Sequence, residues 1–213
     1  RSSHLFKTNP TPNPVYEGDM IWQFDCHYSE PRYWIIEKDL RDIFIQKRLK
    51  RIGLKKEPPF QIKNDYETYR IVIRKIASNT NERTLISSVI PKGSFVGNSL
   101  SVNFPFFNTQ TNSNSNKYTF KDLLIITSLL NSLMLDYSLR LIMTTNINLF
   151  FLYQLRMPRL TDLDPQFMPI VSRAARLICT TPEFDELARE VGLGSHKNGV
   201  TDPAERAKLR SEL

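Results

Sequence analysis

Residues 69–91 constrain the fold of this chain more than any other stretch. The run YRIVIRKIA, Tyr69 to Ala77, alternates apolar and polar residues, with Ile71, Ile73 and Ile76 on one face and Arg70 and Arg74 on the other. A period of two marks a half-buried strand. Polar Ser78-Asn79-Thr80-Asn81-Glu82 makes a turn, and Thr84 to Ile90 is a second β-rich run closed by Pro91-Lys92-Gly93. The expected hairpin gathers Arg74, Lys75, Asn79, Asn81 and Arg83 around one short connection, with Lys92 in the closing turn. Arginine and asparagine can read base edges bidentately, Arg on guanine and Asn on adenine. The plainer reading is a solvated hairpin with ordinary surface charge.

Size and charge narrow the class. The 213 residues suffice for one large domain, or one domain with a helical appendage. With 40% hydrophobic and 24% charged residues, the composition is that of a globular protein and not of a disordered one. A formal charge of +7 and a pI of about 9.4 suit a polyanionic partner, an inference about binding and not about fold. Cys26 and Cys179 are the only cysteines, which argues against a disulfide framework and, without a CxxC pair or clustered histidines, against a zinc site. A reducing, cytoplasmic setting fits. The start at Arg1, with no basic-then-apolar signal pattern, reads as a piece of a longer protein. The most apolar run, Leu123 to Leu135, is too short to cross a bilayer and carries Asn131, so it reads as a buried helix and no membrane partner is expected.

Along the chain, residues 1–14 read as a Pro- and Asn-rich arm, and residues 15–160 as the main domain. A turn at Glu17-Gly18 leads to an expected short strand through Met20, Trp22 and Phe24, and residues 32–36 offer another. Glu37 to Ile52 has helical spacing and runs into KRLKRIGLKK, where six of ten residues are basic. Such a run is commonly a solvated face; otherwise Lys50 and Arg51 are phosphate contacts. Residues 95–107 look β-like, and a polar loop follows. Thr119 caps an expected long helix to about Met143, carrying Leu123, Leu124, Leu130, Leu133 and Met134, and Asn146 starts a short one. In the last segment, residues 161–213, Asp164-Pro165, Thr181-Pro182 and Asp202-Pro203 each place a cap oxygen before a first-turn proline. Asp202 with Glu205 suggests a capping box, and Gly192 a helix stop. The expected class is α+β: an antiparallel β-rich front with flanking helices, and a helical C-terminal segment.

Catalytic chemistry is hard to find. EPPF, Glu57 to Phe60, is near the Asn/Asp/Ser-Pro-Pro-aromatic motif of amino-methyltransferases, but Glu57 is too long for that turn and no Gly-rich donor loop precedes it. His4, His27 and His196 lie at no triad or metal spacing. Asn131, Asp136, Tyr137 and Arg140 read as helix-end residues that lock the long helix to the sheet.

The succession YEGDMIWQFD, RYW, YRIVIRKIASNTNERTLISSVIP, LLNSLMLDYSLR, then Asn146-x-Asn148 and Leu155-x-x-Pro158 resembles a target recognition domain. Such domains form the C-terminal portion of combined type II restriction–modification enzymes and of related adenine-N6 DNA methyltransferases, including those of phage-exclusion systems. The terminal TDPAERAKLRSEL resembles the helix that ends such proteins. The resemblance runs from about Tyr16 to the end. It implies a sequence-specific double-stranded DNA contact here, with methyl transfer, S-adenosylmethionine binding and any cleavage in a catalytic domain N-terminal to this piece. On that basis these residues carry no catalysis and no cofactor. Two other readings stay open: an independent nuclease or methyltransferase with degenerate motifs, and a helical scaffold for the parent protein's other domains.

Overall fold

The computed structural model describes residues 6–51, 53, 64–103 and 118–213. In chain order these form β1 (Phe6–Lys7), β2 (Val15–Tyr16), a 3-10 turn at Gly18–Met20, β3 (Trp34–Ile35), α1 (Glu37–Arg51), β4 (Arg70–Arg74), β5 (Ser87–Ile90), β6 (Phe95–Val96) and β7 (Leu100–Val102). There follow α2 (Phe120–Leu130), α3 (Leu133–Ile142), α4 (Leu149–Leu152), α5 (Phe167–Ile178), α6 (Asp185–Glu190) and α7 (Pro203–Ser211). The class is α+β, with the strands ahead of most of the helices.

The expected hairpin forms. β4 is the middle of a three-stranded antiparallel sheet, order β5-β4-β7, pairing Arg70 with Ile90 and Ile73 with Ser87 on one side and Val72 with Val102 on the other. The second strand is shorter than its β-rich run, because Thr84 and Leu85 give their N–H groups to a side chain from a helix. The half-buried pattern is overturned. Arg70, Ile71 and Val72 are all buried, and consecutive strand residues point to opposite faces, so both faces are covered. α2 packs on β4 and β5, and the Gly18–Met20 turn packs on β4. Ile76, expected inside, is 66% exposed. The buried Arg70 donates to the carbonyl of Ser94, and burial lowers its pKa to about 10.

Local chemistry moves several other boundaries. In place of a strand through Trp22 and Phe24 there is a tight turn, Trp22 and Asp25 exchanging backbone hydrogen bonds with Phe24 at φ +60°. β2 and β6 pair in parallel, the exception to the antiparallel expectation. The expected single helix from Phe120 to about Met143 is two helices bent by 59°. Ser132 caps the second by accepting from the Leu135 N–H, and Leu133 and Met134 point outward. Asn146 has φ +56°, so the next helix begins at Leu149, after Asn148.

Among the three Pro-led starts, only Asp202 caps a helix with its side chain, accepting from the Glu205 N–H; Glu205 turns instead to Arg176. Asp164 closes an earlier turn at Thr161, and Thr181-Pro182 opens a 3-10 turn that runs into α6. Gly192, at φ +85°, stops α6 as expected. Among the described residues, no single helix is long and apolar enough to cross a membrane.

One apolar core runs from Tyr16 through the sheet, α2 and α5 to Leu209 in α7, so residues on both sides of position 160 share it. α5 packs along α2, and Tyr69 beside β4 stacks on Phe184 with ring centroids 5.7 Å apart. A second, smaller cluster of Val15, Ile35, Leu40, Phe44, Tyr66 and Phe95 seats α1.

Candidate nucleic-acid interface

Asn131 and Asp136, at and just beyond the bend between α2 and α3, organise the turn after β4. The Asn131 side chain accepts from the Ser87 N–H at 3.0 Å and donates to the Ser87 carbonyl at 2.8 Å, docking the helix end on β5. Buried Asp136 accepts from the backbone N–H groups of Thr84 and Leu85 at 2.8 and 2.6 Å, and from Arg140 Nε at 2.8 Å. Arg140 in turn donates through Nη1 to the Asn79 carbonyl at 3.2 Å and through Nη2 to the Glu82 carbonyl at 2.6 Å. A carboxylate–guanidinium relay thus grips both ends of the loop. These polar residues do lock helix to sheet; Tyr137, grouped with them by sequence, does not, being 62% exposed.

Further bonds stiffen the base of the loop. The Thr84 hydroxyl donates to the Ser78 carbonyl, and the Asn81 N–H donates to the same residue's carbonyl. The segment after α3 runs beside the extension of β4, with the Ile147 N–H on the Lys75 carbonyl at 2.7 Å and the Asn146 N–H on the Ala77 carbonyl at 3.2 Å. From the other side, the Lys75 N–H donates to the Ser99 carbonyl at 2.9 Å. Loop 78–83 therefore stands on a base hydrogen-bonded from both edges.

The candidate contact residues divide on this frame. Asn79 and Asn81 are exposed on the loop. Lys75 sits at the base, its Nζ 3.4 Å from Asn98 Oδ1. Arg74 and Arg83 are held otherwise than their sequence positions suggest. Arg74 Nη2 donates to the Ile21 carbonyl, with the guanidinium 5.6 Å from the Trp22 ring centroid, and Arg83 Nη2 donates to the Asn131 carbonyl. Burial lowers both pKa values, and the Nε of each is buried without a partner. One Nη2 hydrogen bond thus ties each guanidinium to backbone, leaving other N–H donors of its fork open. They tie distant backbone to the hairpin.

Lys92 is paired with Glu186 and lies 5.2 Å from the Tyr69 ring centroid, far along the hairpin from the loop. Lys50 is exposed on α1, on the smaller cluster, and the Arg51 side chain lies outside the described residues, as do Lys55, Lys56 and EPPF. Asn98 is the addition that structure makes. It lies in the turn after Gly97, between β6 and β7, in the stretch whose sequence looks β-like.

Arg32 and Arg74 line a cleft of about 340 Å³ beside this base with Glu17, Asp19 and Ser99; Arg32 is paired with Asp19. A larger cleft of about 1050 Å³ beside Tyr118 mixes Lys121 and Arg159 with Asp122, Asp162, Glu186 and Glu190, and Asp122 there is engaged in capping α2. His27 donates to Glu183 over 2.8 Å and lies 3.4 Å from Cys26 Sγ. Burial pushes the Cys26 thiol up, away from the thiolate a nucleophile requires. Among the described residues, no group of three His, Cys, Asp or Glu side chains could hold a metal ion. No family model matches the chain, and no curated protein matches it significantly.

Proposed function

We propose that this chain is a sequence-specific DNA recognition module, non-catalytic by itself, that presents loop 78–83 to the major groove. One observation carries the reading: a short loop with two free asparagine amides is held by Arg140 and Asp136 beneath it, and its last residue, Arg83, is tied to the Asn131 carbonyl. Readout depends on side chains held in place before they meet the base, because ordering them on contact subtracts from affinity. Asn79 and Asn81 have the chemistry to read adenine, and Lys75 with Asn98 can meet an adjacent base or phosphate. The net charge of +7 supplies attraction to the duplex. On this reading, methyl transfer with S-adenosylmethionine, and any cleavage, belong to a partner catalytic domain.

Fluorescence anisotropy with duplex DNA of randomised and selected sequence tests it. Binding is expected to weaken with salt, at a log–log slope of roughly −0.9 for each phosphate contacted. Asn79→Ala or Asn81→Ala is expected to cost about 1–3 kcal/mol on the selected sequence and little on the random pool. Lys50→Glu is expected to weaken both equally, or neither if α1 is a solvated face. Absence of binding at low salt, or equal loss on both pools from the loop variants, overturns the reading.

A further inference from the structure

The outer face of α3 is apolar, and among the described residues nothing covers it. Leu133, Met134, Tyr137 and Leu141 are 62–74% exposed, and their spacing of i, i+1, i+4 and i+8 puts them on one stripe. α4 packs against α3 and adds Phe150 and Tyr153, 70% and 80% exposed. At about 150–250 Å² for a full aromatic side chain and somewhat less for an aliphatic one, these six leave on the order of 800 Å² of mostly apolar surface open. The largest apolar patch on a monomer is typically about 300–600 Å², whereas a stable interface takes about 800 Å² from each partner.

Charge decides the occupant. The only side chains of α3 charged at neutral pH are Asp136 and Arg140, which are paired with each other and turned toward loop 78–83. The stripe has no cation for a nucleic acid and no net charge with which to repel its own copy. A self-complementary apolar patch is what a two-fold interface uses, each helix lying against its equivalent. We infer that the α3–α4 face pairs with the same face of a second copy of this chain, forming a two-fold dimer with α3 at its centre.

Sedimentation equilibrium of the whole chain up to about 100 µM tests the pairing. The expected mass is twice the 24.8 kDa of the chain. The association should hold or strengthen in high salt, opposite to the DNA binding proposed above, so the two can fail separately. Met134→Glu and Leu141→Glu, both at exposed positions, are expected to raise the dissociation constant at least about tenfold with the circular dichroism spectrum of the fold unchanged. Three results overturn the inference: a monomer at all concentrations, a dimer indifferent to both substitutions, or open-ended assembly in place of a dimer. Heterologous docking of this face on another protein, with the chain alone monomeric, counts among the first of these.

Discussion

Replacing Asp136 with alanine should separate a rigid loop from a loosened one. The carboxylate is buried and accepts three hydrogen bonds, from the N–H groups of Thr84 and Leu85 and from Arg140 Nε. Alanine leaves two buried backbone donors unpaired, at about 1–3 kcal/mol each. It also strips the counter-charge from Arg140, whose guanidinium can rotate to water because it is only partly buried. The expected loss is about 3–5 kcal/mol, within the range for breaking a buried charge pair and a large share of a domain's usual 5–15 kcal/mol. Asp136→Asn keeps an acceptor for the two amides and should lose roughly half as much. Urea unfolding followed by circular dichroism reads both. Because Asp136 and Arg140 act as one relay, Arg140→Ala in the Asp136→Ala background should add much less than it costs alone. Native-state amide exchange should quicken first at residues 78–85. A loss under about 1 kcal/mol for Asp136→Ala, or full additivity with Arg140→Ala, refutes the relay.

Two other expectations come from different parts of the molecule. The His27 pKa is raised to about 10, first by its contact with Cys26 and then by its hydrogen bond to Glu183; since the buried thiol stays neutral, the Glu183 carboxylate supplies the charge that holds the proton. A raised folded pKa means that this contribution is complete below about pH 6.5 and is lost as pH rises through 10. The His27 side chain is 40% exposed, so solvent limits the pair to about 1 kcal/mol or less, and His27→Gln should flatten the stability–pH curve between those values. Gly199→Ala should be severely destabilising, because a Cβ there would stand 2.2 Å from the Cys179 carbonyl oxygen and 2.9 Å from that of His196. Backbone crowds this site, so the loss should exceed the roughly 1–3 kcal/mol typical of overpacking; a melting temperature within about 3 °C of the parent contradicts that packing.

What was legible in the sequence was the local part. Alternation and a polar turn between two β-rich runs announce the hairpin, and Thr119, Asp202 and Gly192 sit where they predict. The roles of Arg74 and Arg83 were not legible, because the carbonyls they hold lie 53 and 48 residues away. Sequence pattern places a guanidinium on a strand beside a turn, and only the fold shows which carbonyl it holds. The bend at Asn131 was hidden for a related reason. Apolar residues continue through LLIITSLLNSLML at helical spacing, and only the adjacent Asn131 and Ser132 carry the side chains that could end one helix and cap the next.

The same bend explains why Leu133 and Met134 were misplaced. A periodic apolar pattern identifies a face but not its direction, and α3 is apolar on more than one side. Its inward side holds Leu135 and Leu139 beside Asp136, whose polar oxygens are matched by the amides of Thr84 and Leu85. The outward side then carries Leu133, Met134, Tyr137 and Leu141 by geometry alone, since the 3.6-residue repeat cannot bury both. α3 therefore positions the loop through its buried polar groups and leaves its outward apolar ones for another surface. Substitutions at Asp136 should change the loop and spare association, and those at Met134 or Leu141 the reverse. This opposition can be measured within a single ten-residue helix.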